Sequence, residues 1–181
     1  MKIKKSLMSF GFGILFTLLC STGFAQSSIF KINLFSPLVR TLNVSFEQKL
    51  KPSSSAQLGF FYTGFSVGDT EFRGIGITPE YRFYLSDTDA PKGVFVAPFI
   101  RYQNFKLEEK VTNSKGELST FGGGLIIGKQ WIFKERISLD TFIGPVYQSG
   151  DVKVTSGTDN FDTGVFDGFS VRAGLTLGVA F

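Results

Sequence analysis

Ser170-Val-Arg-Ala-Gly-Leu-Thr-Leu-Gly-Val-Ala-Phe181 decides how the rest of the chain is read. Val171, Ala173, Leu175, Leu177, Val179 and Phe181 share one parity, and Arg172, Gly174, Thr176, Gly178 and Ala180 share the other. Successive side chains point to opposite faces of a β-strand, so this stretch has one apolar face and one small or polar face.

The same period recurs upstream. Residues 28–36 set Phe30, Ile32 and Leu34 against Lys31 and Asn33, and Ser36-Pro37 ends the run. In 41–50, Leu42, Val44, Phe46 and Leu50 oppose Asn43, Ser45, Glu47 and Lys49, before a Pro/Ser turn at 51–55. A third run, 56–65, carries Leu58, Phe60 and Tyr62 on one face. After a short loop at 69–72, residues 73–85 place Ile75, Ile77, Tyr81, Phe83 and Leu85 opposite Gly74, Gly76, Thr78, Glu80 and Arg82. A turn at 86–93 leads to 94–105, with Val96, Ile100 and Tyr102 outward and Arg101 and Gln103 inward. The charged stretch 107–117 is expected as a solvated loop. Residues 118–133 alternate Phe121, Leu125, Ile127, Trp131 and Phe133 with Gly122, Gly124, Gly128 and Gln130. Past a charged turn at 134–136, residues 137–148 set Ile137, Leu139, Ile143 and Tyr147 against Ser138, Asp140 and Gly144. A long polar loop at 150–167 then precedes the last strand.

Eight such runs predict an all-β, eight-stranded antiparallel up-and-down transmembrane β-barrel, its apolar parity toward lipid and its charged parity enclosed. The 22 Phe and 21 Gly suit it, and no apolar run after residue 25 approaches the ~20 residues of a membrane helix. Aromatic girdles are expected at Phe46, Tyr81, Phe83, Trp131, Phe133 and Phe181 on the inner side, and at Tyr62, Phe65, Tyr102, Phe105 and Tyr147 on the outer. Pro79, Pro98 and Pro145 strain the reading, because a closed barrel has no edge to spare a missing N–H. Pro79 and Pro98 are expected to share one local break. Lys129 takes the lipid-facing parity, where it can snorkel beside Trp131.

Residues 1–25 read as a cleaved signal peptide, with basic Lys2, Lys4 and Lys5, an apolar run over 7–19 and Gly23-Phe24-Ala25 before the cut; residues 26–181 form the barrel domain. A lipoprotein acylated on Cys20 is disfavoured by the bulky Leu19 before it. Three of the four formal positive charges sit in that leader, so the charge does not indicate a nucleic-acid partner.

The chain has no histidine, and its one cysteine is Cys20. The mature chain can therefore form no disulfide and no thiolate or imidazole metal site, and Ser-His-Asp and Cys-His catalysis are excluded. No enzyme activity, cofactor or metal is expected. The lumen receives Lys31, Lys49, Arg82, Arg101 and Arg172 against Glu47, Glu80 and Asp140. An eight-stranded barrel is just wide enough for side chains to fill, so these charges are expected to pair across a plugged interior, Glu80 with Arg101 among them. A narrow polar path through the same residues is the alternative. Glu47 and Glu80 as an acid–base pair lack any cleft or oxyanion donor. Asp151, Asp159, Asp162 and Asp167 in the 150–167 loop do not keep a calcium-loop register, and this loop is the candidate for an extracellular partner, with Phe161 and Phe166 as apolar anchors.

The last strand with its final Phe181 resembles the C-terminal signal that the barrel-assembly machinery reads in bacterial outer-membrane proteins. Lys31-Ile-Asn-Leu-Phe-Ser-Pro-Leu38, Ser45-Phe-Glu-Gln48, Gly76-Ile-Thr-Pro-Glu-Tyr-Arg-Phe-Tyr84, Pro98-Phe-Ile-Arg-Tyr102, Gly128-Lys-Gln-Trp131 and residues 139–144 resemble a family of small bacterial outer-membrane β-barrels of uncharacterised function, similar in plan to OmpX-type barrels. The resemblance implies the cell outer membrane and its lipid, and no site residues. The resulting expectation is a monomeric structural or surface-interaction barrel with a side-chain-filled polar interior. The alternative is a narrow channel or small-solute or lipid carrier of the outer membrane. A soluble lipocalin-like carrier would need the apolar face inside.

Overall fold

The computed structural model describes residues 28–67, 70–86, 88–109, 114–156 and 167–181. Residues 1–25 with Cys20, and Asp159, Phe161, Asp162 and Phe166, lie outside them. The elements in order are β1 (Ser28–Asn33), a 3-10 helix (Ser36–Val39), β2 (Thr41–Lys51), β3 (Ser54–Val67), β4 (Thr70–Tyr84), β5 (Gly93–Glu109), β6 (Lys115–Phe133), β7 (Ile137–Ser156) and β8 (Gly168–Ala180). Each strand pairs antiparallel with the next, and β1 pairs with β8 to close an eight-stranded barrel. The expected all-β barrel is therefore the observed one.

Ser28 and Phe181 exchange backbone hydrogen bonds at one mouth, which also carries the β2–β3, β4–β5 and β6–β7 turns. We call it the terminal mouth and the opposite one the far mouth. β1 stops because the Asn33 side chain takes over the chain: its Oδ1 accepts from the N–H of Phe35 (2.9 Å) and of Ser36 (3.1 Å). Pro37 then has no N–H for a ladder, and Arg40, at φ 52°, turns the chain back into β2.

The parity assignment holds. Ile75, Ile77, Leu125, Ile127 and Leu177 are exposed on the outer wall, while Lys31, Glu47, Glu80, Arg82 and Asp140 are buried inside it. Lys129 lies outside with its ammonium 5.3 Å from the Trp131 ring centroid.

Two expected loops are shorter than the sequence suggested, since β5 runs to Glu109, β6 starts at Lys115 and β7 reaches Ser156. Alternation never stops there; its sense changes. Leu107 and Leu118 point inward and are buried, while Lys106, Glu108, Lys115 and Glu117 occupy the outward parity that carries Ile100, Tyr102 and Phe121 lower down. Phe105, expected in the outer girdle, also points inward at 2% exposure, its ring 6.2 Å from that of Phe61. Phe121 and Phe169 stand outward instead, Phe121 directly across from Tyr102 and Phe169 against Tyr147.

Inside the barrel, phenylalanines sit directly across the ladder from glycines: Phe105 from Gly74, Phe61 from Gly76, Phe99 from Gly124, Phe95 from Gly128 and Phe142 from Gly174. In four of the five pairs a Cβ added to the glycine would strike the ring, and at Gly124 it would press on the Phe99 ring and collide with the Pro145 carbonyl oxygen. Rings lie over the strand where no side chain stands, which fits large apolar groups into a narrow barrel and accounts for the joint abundance of the two residue types.

Each of the three strand prolines interrupts one of its two ladders without shifting register. Between β4 and β5 the pairing lapses around Pro79 and Pro98, while Ile77↔Tyr102, Glu80↔Phe99 and Phe83↔Val96 stay in step. The two prolines thus share one break, as expected. Pro145 lapses against β6 but stays paired with Val171 of β8.

Candidate functional site in the barrel interior

The inward parity of five strands delivers a continuous ion network to the terminal half of the lumen. Lys31 Nζ lies 2.5 Å from Glu47 Oε2 and 3.1 Å from Asp140 Oδ2. Arg82 bridges Asp140 (2.7 Å) and Glu80 (2.7 Å), and Glu80 Oε2 meets Arg172 Nη1 at 2.6 Å. Neutral groups complete it. Gln130 Oε1 accepts from Lys31 (2.6 Å) and Arg82 (3.1 Å), Tyr84 donates to Glu47 (2.6 Å), Ser55 also donates to Glu47, and Gln57 Nε2 donates to Glu80 (2.9 Å). Buried charges survive only when paired and hydrogen-bonded in this way.

Aromatic rings pack the cations. The Arg82 guanidinium lies 4.3 Å from the Phe95 centroid, and that of Arg172 lies 4.5 Å from Phe99 and 4.8 Å from Phe142. The β4–β5 turn folds over the terminal mouth: Ala90 and Pro91 are buried, Ala90 N donates to Pro52 O (2.6 Å), and Gln130 Nε2 donates to Pro91 O (2.6 Å). That end of the lumen is closed by side chains and a tucked turn.

The expected partner of Glu80 is corrected. Arg101 does not reach it; its Nε donates to Thr78 Oγ1 (3.3 Å), and Glu80 is held by Arg82, Arg172 and Gln57. Arg82 stands two residues from Glu80 on the same strand face and meets it at 2.7 Å, while Arg172 reaches the other carboxylate oxygen from β8 at 2.6 Å. Lys49 stands at the mouth rather than in the network, 3.1 Å from Asp89. The sequence alone does not pick out Tyr84, Ser55 and Gln57, although Tyr84 continues the inward parity of Arg82 on β4 and Ser55 and Gln57 of β3 pair in register with inward residues of β2 and β4. The far half differs again, because a cavity of ≈ 370 Å³ opens there, so the interior is not filled throughout.

The Glu47–Glu80 acid–base idea finds no support in this geometry, since each carboxylate is held by cations. Among the described residues, no group of three or more His, Cys, Asp or Glu side chains is placed to hold a metal ion.

A family model described as "Protein of unknown function (DUF3575)" matches residues 11–155 of the chain. The chain belongs to the DUF3575 family. The match reaches from before β1 to nearly the end of β7, so it takes in the network residues on β1, β2, β4, β6 and β7 and leaves out Arg172 on β8. No curated protein matches the chain.

Proposed function

We propose that this DUF3575 protein is an integral β-barrel of a bacterial outer membrane, monomeric and without catalytic activity, with a structural or surface-interaction role. One observation carries the reading: the outer wall is an apolar belt bounded on both sides by polar residues, while the charged parity is enclosed. The belt includes Leu58, Ile75, Ile77, Leu125, Ile127 and Ile143 at 47–55% exposure. Toward the far mouth it passes Tyr62, Tyr102, Phe121 and Tyr147, and the outward positions then become Arg73, Lys106, Glu108, Glu117 and Asp151. Toward the terminal mouth it passes Phe83, Phe133 and Phe181 before Lys51 and Lys134. A water-soluble barrel needs the opposite polarity, and a closed barrel leaves no unpaired edge in hydrocarbon.

With β5, β6 and β7 at 17, 19 and 20 residues, the wall outruns the ~9–11 residues that a tilted strand needs to span. The excess forms a charged half-rim at the far mouth, which together with the 150–167 segment is the surface offered to an extracellular partner. Residues 170–181 would present the last strand to the assembly machinery. A conducting channel is the weaker reading, because the network and the 88–92 turn close the terminal mouth.

The test is to refold residues 26–181 into phosphatidylcholine vesicles and planar bilayers. Insertion with heat-modifiable migration and no conductance steps is expected. A chain that stays in the aqueous phase overturns the membrane reading, and regular conductance steps overturn the plugged interior in favour of a channel.

A further inference from the structure

The wall is lowest at β1. Its last rungs are Asn33↔Thr176 and the bond from Leu34 N to Leu175 O (2.9 Å). Beyond that level β8 continues to Gly168 paired only with β7, and Thr41–Asn43 of β2 pair only with β3. The segment 34–40, with its 3-10 helix, covers part of this gap. Phe35 and Val39 on its side and Val171 and Ala173 on β8 border the ≈ 370 Å³ cavity, which continues inward to Gln57, Thr78, Arg101, Arg172 and Thr176. That volume lies in the range of ~300–1,000 Å³ typical of small-ligand sites.

The inner end of this cavity is short of a negative charge. Among the described residues of the enclosed lumen, four cations (Lys31, Arg82, Arg101, Arg172) face three carboxylates (Glu47, Glu80, Asp140), and Arg101 is the one with no carboxylate in ion-pair reach. Thr176 and Gln57, 7% and 6% exposed, line the same cavity, and the buried Thr176 Oγ1 and Gln57 Oε1 have no hydrogen-bond partner. Buried polar atoms left this way are costly unless something completes them. The outer end is the reverse: Phe35, Val39 and Val171, which border it, are exposed at 56, 61 and 70%.

We propose that this cavity binds an anionic amphiphile. Its phosphate or carboxylate head sits against Arg101 with the Thr176 hydroxyl donating to it, and its acyl chain leaves through the seam between residues 35–39 and β8 into surrounding lipid. The inference rests on the membrane reading above. It assigns that barrel a ligand class and a side door in place of an axial pore.

The test uses residues 26–181 in phosphatidylcholine nanodiscs titrated with dodecyl phosphate, inorganic phosphate and dodecanol, with heat-modifiable migration recorded for every variant. Saturable binding of one dodecyl phosphate per barrel is expected, at least tenfold tighter than either other probe. Arg101→Gln should weaken it tenfold or more, and Arg101→Lys should retain most of it. Thr176→Val, a smaller change, should weaken it several-fold and serves if Arg101→Gln misfolds. Inorganic phosphate binding as tightly as dodecyl phosphate would overturn the acyl door, and dodecanol binding as tightly would overturn the arginine site. A barrel that inserts normally yet shows no saturable binding refutes this proposal alone, whereas a chain that fails to insert removes the membrane reading first.

Discussion

Arg82 is the residue on which the interior turns. It is fully buried, within 3.7 Å of Glu47 and 2.7 Å of both Glu80 and Asp140, and no other cation of the network reaches three carboxylates. Removing one partner from such a set strands a charge in low dielectric, so Glu80→Ala should cost about 3–5 kcal/mol of folding stability. Arg101→Ala removes a cation that has no counter-charge and should cost less than half as much, which urea titrations of the two refolded variants would show. Equal losses would mean that Arg101 takes part in the network after all. Parity told which charges face inward along the strands, but not that Lys49, at the end of β2, meets Asp89 at the mouth instead of joining the network. It did not tell who pairs with whom, because long side chains reach along a strand as well as across it, as Arg82 does to Glu80. Nor did it show Gln130 bonded to a turn carbonyl, since nothing local signals that residues 88–92 fold back over the mouth.

At the scale of strands, the inward Gly–Phe rungs are the packing device, and they make a contrast that can be measured. A Cβ at Gly76 would run into the Phe61 ring, whereas one at Gly64, on the neighbouring strand, would meet nothing within 4 Å. Gly76→Val should therefore destabilise by about 1–3 kcal/mol through overpacking, and Gly64→Val should leave the urea midpoint nearly unchanged. Combining Gly76→Val with Phe61→Ala should recover part of the loss, a non-additivity expected of residues in contact. Simple addition of the two effects would show that ring and glycine do not share the space. Strand existence and order were legible from alternation alone. The far ends of β5, β6 and β7 were not, because the outward face changes from apolar to charged above Tyr102 and Tyr147 while Leu107 and Leu118 turn inward, so a search for one constant greasy face ends too early.

The whole molecule is a barrel of unequal height, tall along β5–β7 and low at β1, with a closed terminal half and a cavity in the far half. Its central claim is that the apolar parity faces hydrocarbon. Spin labels at Leu125→Cys, Ile127→Cys and Ile143→Cys, introduced singly into a chain whose only natural cysteine lies at position 20, test this in vesicles by collision with oxygen and with a water-soluble nickel complex. The account predicts high oxygen and low nickel accessibility at all three, with Lys106→Cys, on the outward parity above the belt, reversing the ratio. Nickel accessibility at the three belt sites as high as at position 106 would mean that the belt meets water, and the membrane account would fall.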